Sequence, residues 1–138
     1  MTGLIVRAVI IGSLIDNAGT LLVNAIFGAL VAAFSGATTS EDLTMVIEGS
    51  IALQVVQLVL GLSLTATGAY VAAMLAKGNE RTNAFAVGVL STAIGFLFVF
   101  TAPEVAPFWA EAVGLLLTIP AAFLGGELRL AVLRTRRA

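Results

Sequence analysis

Four long apolar stretches constrain the fold of this chain more than any other feature. They cover approximately residues 4–34, 47–76, 84–102 and 108–128. About 20 apolar residues in a helix cross the roughly 30 Å core of a bilayer, so each stretch is long enough to span a membrane. Inside lipid, helices satisfy their own backbone polar groups. The sequence therefore predicts an all-α, polytopic membrane protein: a four-helix transmembrane bundle that forms a single domain, residues 1–138, in a lipid bilayer.

The composition supports this prediction and excludes several kinds of function. Of the 138 residues, 59% are hydrophobic and 11% are charged, whereas a soluble domain carries about 25% charged residues. The chain has no cysteine and no histidine, which excludes disulfides, thiolate metal sites and nucleophiles activated by histidine. No glycine-rich phosphate loop precedes a Lys-Ser/Thr pair. We therefore expect no enzymatic activity, no cofactor, no metal and no nucleic-acid partner.

The distribution of charge predicts the orientation of the helices. Positive residues occur at Arg7, in the loop 77–83 and in a basic tail at 129–138. The polar loop 35–42 and the proline-flanked turn 103–107 carry only acidic charges. Because segments rich in Lys and Arg stay on the cytoplasmic side, we expect a bacterial inner-membrane protein with both termini in the cytoplasm.

Small residues recur at helical spacing in the second, third and fourth spans. In lipid, small residues let helix backbones approach and polar side chains bond across the interface. The glycines that predict such packing faces are Gly61, Gly68, Gly88, Gly95, Gly114 and Gly125. These faces suit packing within the bundle, a homo-oligomer or another membrane protein.

Polar groups in the first span raise a functional question. Asp16, Thr20 and Asn24 are four residues apart, so their side chains share one helical face. If Phe34 marks the outer boundary, Asp16 lies about 27 Å inward and Asn24 about 15 Å inward. We expect Asp16 near the cytoplasmic interface and Asn24 near the midplane, bonded to a neighbouring helix. An acid within a membrane span is a functional hypothesis. The candidate polar or transport site comprises Asp16, Thr20, Asn24, Gln54 and Gln57.

Three family resemblances accompany these residues. The segment "DNAGTLL" (16–22) resembles the first helix of small multidrug resistance transporters, in which an embedded acid precedes Gly-Thr. The segment "GTLLVN" (19–24) is similar to part of the fluoride channels. The transporters' tryptophan-bearing third helix and the channels' arginine motif do not occur here.

A third resemblance covers most of the chain in order. The pattern Asp-x-x-Gly-Thr, then "GAYVAAMLA" (68–76), "A-x-G-x-L-S" (86–91) and "LLLTIPAAFLGGELR" (115–129), resembles small bacterial integral membrane proteins to which no activity is assigned. It implies the four-helix membrane fold and no particular chemistry.

Two functional hypotheses remain open at this point. In the preferred one, the protein is a structural or accessory bundle that packs internally or against a partner through its small-residue faces. In the alternative, it is a small oligomeric transporter or channel whose path is lined by Asp16, Thr20 and Asn24. The two differ in whether that face meets protein or water.

Overall fold

The computed structural model describes residues 3–101 and 107–135. This part of the chain is all-α, as predicted, and four of its helices are long and apolar enough to cross a membrane. The arrangement is that of a multi-pass membrane protein. The helices are α1 (Val6–Ser35), α2 (Ser40–Glu48), α3 (Ile51–Leu75), α4 (Glu80–Thr101) and α5 (Phe108–Thr135).

Helices α3 and α4 form the centre of the bundle. Each contacts α1 on one side and α5 on the other, whereas α1 and α5 do not contact one another within the described residues. Successive long helices run in opposite directions, so the start of α1 and the end of α5 lie together. We call the half of the bundle that contains these two ends the terminal half (residues 6–16, 65–75, 80–91 and 121–135). The other half, which includes α2, is called the α2 half.

The region before the second span differs from the prediction. The segment 35–42 was expected to be a loop, with one continuous helix at 47–76. Instead, α2 begins inside that loop because Thr39 and Asp42 form a capping box: the Thr39 hydroxyl accepts from Asp42 N at 3.1 Å, and Asp42 Oδ2 accepts from Thr39 N at 3.2 Å. Such reciprocal bonds satisfy the free N–H groups at a helix start.

The second span therefore begins later than expected. The chain leaves helical geometry between α2 and α3, where Ser50 caps α3 by accepting a hydrogen bond from Leu53 N at 3.4 Å. A serine at this position satisfies a free backbone donor of the new helix. The result is a short helix joined to the span by a tight turn.

Two other helices are longer than predicted. Helix α4 begins at Glu80 instead of residue 84, and α5 continues to Thr135 through much of the expected basic tail at 129–138. No glycine or proline interrupts 127–138, and Arg134 in the last turn complements the helix dipole. Arg136, Arg137 and most of the expected turn at 103–107 lie outside the described residues.

The core of the bundle is built from small side chains. Its main cluster lies in the terminal half, whereas Val31, Ile47 and Ala110 are buried in the α2 half. The cluster comprises Val9, Ala69, Ala72, Ala73, Ala84, Val87 and Ala122. Large apolar side chains point outward, with Leu14 and Leu124 about 60% exposed (61% and 60%). Small residues inside and large ones outside are what close helix packing in lipid requires. The core thus places three helices close together around Asp16.

Candidate functional site

Asp16 lies at a crossing of three helices. It projects from α1 and is 4% exposed. From α3, the Thr65 hydroxyl donates a hydrogen bond to Asp16 Oδ1 at 2.9 Å. From α4, the buried Ser91 hydroxyl lies beside the carboxyl group. Together with the buried Ser13, one turn before Asp16, these residues define the Asp16 cluster.

A direct contact between two helix backbones holds this cluster in place. A Cβ atom at Gly12 would lie 2.6 Å from Gly68 O and 2.8 Å from the Ala72 Cβ, and one at Gly68 would lie 3.2 Å from the Asp16 Cβ. Both positions accept only glycine without movement of the backbone. Gly68 was predicted to be a packing residue, whereas Gly12 was not. Its position one turn before Asp16, on the same helical face, was the available signal.

Thr20 and Asn24 do not join the Asp16 cluster through hydrogen bonds. Both are half-buried, and neither side chain makes a hydrogen bond within the part of the chain that the structure describes. Beside them, α1 meets apolar groups: a Cβ at Gly19 would lie 3.1 Å from Leu64 Cδ2. The bond expected from Asn24 to a neighbouring helix is therefore absent from the described residues.

Gln54 acts as a junction in the α2 half. It is 5% exposed, and its Nε2 donates to Ile47 O at 3.1 Å and to Glu48 O at 2.7 Å. Its Oε1 accepts from Trp109 Nε1 at 3.0 Å. One side chain thus connects the end of α2, the start of α3 and the start of α5.

The two glutamines lie apart from Asp16. Gln54 is about 16 Å from Thr65 along α3 at 1.5 Å per residue. Gln57 is half-buried, and its side chain makes no hydrogen bond with the described residues. The structure therefore does not gather the five candidate residues into one site.

Most of the predicted packing glycines face another helix. A Cβ at Gly88 would lie 2.8 Å from the Ala122 Cβ, whereas one at Gly61 would meet no atom within 4 Å. Gly61 therefore faces open space, which differs from the prediction, because its part of α3 lacks a closely approaching backbone. The others are placed as follows: Gly68 faces α1, Gly88 and Gly95 face α5, and Gly114 and Gly125 face α3.

Two further polar contacts connect elements of the chain in or next to the terminal half. Asn83 is completely buried; its Oδ1 accepts from Ile5 N at 2.7 Å and its Nδ2 donates to Asn79 O at 2.9 Å. Arg81 donates two hydrogen bonds to Glu127, from Nε at 2.5 Å and from a terminal nitrogen at 3.1 Å. Sequence reasoning missed both contacts, since each joins residues far apart in the chain.

The chemistry available to the Asp16 cluster is limited to one carboxylate and three hydroxyls. Within 3–101 and 107–135, no group of three His, Cys, Asp or Glu side chains could hold a metal ion. A pair of adjacent carboxylates, as general acid–base catalysis by aspartates requires, is not part of the cluster. The cluster is suited to binding a small polar or charged species, or to joining helices.

Comparison of the chain with family models, curated proteins and solved structures finds no match.

Proposed function

We propose that this chain is a structural or accessory membrane protein that acts by contact with a partner in the bilayer. The supporting observation is that the Asp16 side chain meets protein: it is 4% exposed and bonded to Thr65. Interhelical hydrogen bonds in membranes are worth roughly 0.6–2 kcal/mol. An acid held in this way stabilises the crossing of α1 and α3 and does not line an open path.

The surface proposed for the partner is the far end of α4. From Phe96 to Phe100 every side chain is exposed, by 37% to 72%, and the buried residues of α4 all precede this segment. A helix that is apolar on all sides suits lipid or a second membrane-spanning helix. The proposed partner is such a helix, from a second copy of this chain or from another membrane protein.

A photocrosslinking amino acid tests this partner surface. Placed at Leu97 in cells, it should give a discrete protein adduct, whereas the same residue at Leu124 should give little. The two leucines are 63% and 60% exposed, so lipid alone would label them equally. Equal labelling, or adducts only at Leu124, would contradict the proposed surface.

We further propose that the terminal half of the bundle is the half on the cytoplasmic side of a bacterial inner membrane. It carries the described positive residues, Arg7, Lys77, Arg81, Arg129 and Arg134, and positive residues remain on the cytoplasmic side. Compartment-sensitive reporters placed at the N-terminus, in 77–83 and after Ala138 should all report the cytoplasm. A periplasmic signal from any one of them would reverse the orientation.

A second candidate function is an oligomeric transporter or channel. It is favoured by the half-buried Thr20 and Asn24, whose side chains make no hydrogen bond with the described residues and share a face with Asp16. Flux of Na⁺ and protons in proteoliposomes distinguishes the two candidates. The accessory role predicts no flux above that of empty liposomes. Flux that is lost in Asp16→Asn, with folding retained, would replace the accessory role by transport.

A further inference from the structure

A groove opens between the start of α4 and the end of α5, at the end of the bundle that carries the positive residues. It has a volume of about 330 Å³ and is lined by residues 78–82 and, on α5, by Leu130 and Arg134. The ion pair between Arg81 and Glu127 joins the two helices beside the groove. The pair therefore limits the separation of the two groove walls.

The charges around the groove leave Arg134 available to a ligand. Glu127 is neutralised by Arg81, which donates two hydrogen bonds to it. The Glu80 carboxylate accepts from Gly78 N at 3.0 Å and lies in the first turn of α4, where the helix dipole favours a negative charge. Arg134 lines the groove and makes no ion pair within the described residues. The groove thus offers one guanidinium group to an anion.

The surroundings of the groove add to this positive charge. The acidic residues described at this end of the bundle are Glu80 and Glu127, and the basic ones are Arg7, Lys77, Arg81, Arg129 and Arg134. Basic clusters that flank a membrane-spanning helix attract the anionic headgroups of the adjacent leaflet. The charge of this end therefore favours an anionic ligand over a neutral one.

Toward the centre of the membrane, the groove continues as an apolar surface. Phe85 follows Arg81 by one turn of α4, and Phe123 precedes Glu127 by one turn of α5, so both rings lie on the groove side of the contact between the helices. Since α4 and α5 run in opposite directions, the two rings also lie at about the same depth. Phe85 is 49% exposed and Phe123 is 45% exposed. A positive mouth thus lies directly next to two exposed aromatic rings.

This order of charged and apolar groups distinguishes between anionic ligands. A soluble phosphate or a nucleic acid would contact Arg134 and would leave both rings uncovered. A phospholipid uses both parts, because its phosphate meets the guanidinium and its acyl chain covers the rings. Arginine suits a phosphate group, since its planar guanidinium can donate two parallel hydrogen bonds to the phosphate oxygens.

We propose that this groove binds one anionic phospholipid, with its phosphate on Arg134 and an acyl chain against Phe85 and Phe123. The site goes beyond the accessory role, because its ligand is a lipid and not a protein. It also does not depend on which side of the membrane this end faces. Since the groove exists only in the folded protein, the bound lipid stabilises the contact between α4 and α5.

Native mass spectrometry of the purified protein in detergent tests the site. The protein is equilibrated with equal amounts of phosphatidylglycerol and phosphatidylcholine that carry the same acyl chains. The wild type should retain one phosphatidylglycerol in preference to phosphatidylcholine. Arg134→Gln should lower the affinity for phosphatidylglycerol about fivefold, which is the contribution of one basic residue close to an anionic headgroup.

Two matched variants control for non-specific effects. Arg7→Gln removes the same charge from the same end of the bundle, but Arg7 belongs to α1, which does not contact α5 within the described residues. It should leave the affinity nearly unchanged. Phe123→Ala should weaken the retention of phosphatidylglycerol, whereas Leu124→Ala should not. Leu124 is 60% exposed and points to a different side of α5.

Three outcomes would overturn the proposal. They are equal retention of the two lipids, equal losses in Arg134→Gln and Arg7→Gln, which would indicate attraction to the whole basic end, and displacement of the lipid by glycerol 3-phosphate at equal concentration, which would indicate a site for a soluble phosphate. Should Arg134→Gln fail to fold, the comparison of Phe123→Ala with Leu124→Ala decides, and equal retention would contradict the site. The crosslink at Leu97 does not depend on this result, so the accessory role and the lipid site can fail separately.

Discussion

In the terminal half of the bundle, alanine, glycine and serine occupy the helix contacts, and backbones touch at Gly12 and Gly68. Large apolar side chains point away from the bundle in both halves, as at Leu14 in the terminal half and at Leu97 and Phe100 in the α2 half, which are 61–72% exposed. Both halves belong to apolar helices. Hydrophobicity therefore does not distinguish the halves, whereas close backbone contact occurs where small residues of two helices meet.

Polar side chains join helices in both halves. In the terminal half, Thr65 bonds to Asp16 and Asn83 bonds to Ile5, so side chains join one spanning helix to another. In the α2 half, Gln54 of α3 bonds to Trp109 at the start of α5 and to the end of α2. From the backbone contacts in the terminal half, we infer that this half is the structural unit that must form for the protein to fold, and that the α2 half depends on it.

The largest expected effect is at the backbone contact. Gly68→Leu would force the leucine side chain against the Gly12 backbone and Asp16, and overpacking of this kind costs about 3 kcal/mol or more. We expect loss of most folded protein in detergent, measured by size exclusion and thermal unfolding. Gly61→Leu, on the same helix but facing open space, is the matched control. Similar losses for both variants would remove the distinction between the halves.

Two milder substitutions, both of glycine by alanine in α5, compare the two halves. Gly125→Ala would place a methyl group against the Ala66 backbone, whereas Gly114→Ala would meet only Leu58 Cδ1 at 3.4 Å, an ordinary contact. We expect Gly125→Ala to lower the free energy of unfolding by about 1–3 kcal/mol. Gly114→Ala should be neutral or stabilising by up to about 1 kcal/mol, because alanine favours the helix. Equilibrium unfolding in mixed micelles measures both, and the reverse order would contradict the comparison.

A smaller effect is expected at the Gln54 junction. Trp109→Phe removes one hydrogen bond to Gln54, which is worth about 0.5–1.5 kcal/mol. The loss should speed amide hydrogen exchange in α2 and leave the Asp16 cluster unchanged. Phe108→Leu, at a neighbouring position that is 82% exposed, should not change exchange. Faster exchange around Asp16 in Trp109→Phe would show that the two halves are strongly coupled.

The smallest effect concerns the start of α2. The Thr39 hydroxyl bonded to Asp42 lowers the pKa of that carboxyl, with the Thr38 and Thr39 backbones contributing. A lowered folded-state pKa means that the stabilisation is present above the usual aspartate value and is lost as pH falls through the lowered one. Exchange at α2 should therefore increase only in strong acid. Asp42→Asn should show no such transition, and an unchanged acid response in that variant would exclude Asp42 as its source.

The sequence predicted the fold well because hydropathy depends on local composition alone. It identified four spans, and it missed α2 because polar residues before a span resemble a loop. The capping box at Thr39 and Asp42 was nevertheless readable. Helix ends were placed less well: α5 continues to Thr135 because charged residues near a helix end do not terminate it.

The candidate site was less predictable, because it depends on which helices meet. Spacing placed Asp16, Thr20 and Asn24 on one face, but within the described residues only Asp16 of these three forms a side-chain hydrogen bond to another helix. The approach of Ser91 to Asp16 follows from how α4 sits against α1. The periodicity that identified Gly68 and Gly88 also selected Gly61, which faces open space. Periodicity identifies a face but not its neighbour.

The contrast between the halves is tested most directly by distance distributions between spin labels. The chain contains no cysteine, so pairs can be introduced at exposed sites on α1 and α5: Leu14 with Leu124 in the terminal half, and Ile26 with Leu116 in the α2 half. In lipid nanodiscs, double electron–electron resonance should give a narrow distribution for the first pair and a broader one for the second. Equal widths, or a broader distribution for Leu14 with Leu124, would contradict the conclusion that the terminal half is the closely packed unit.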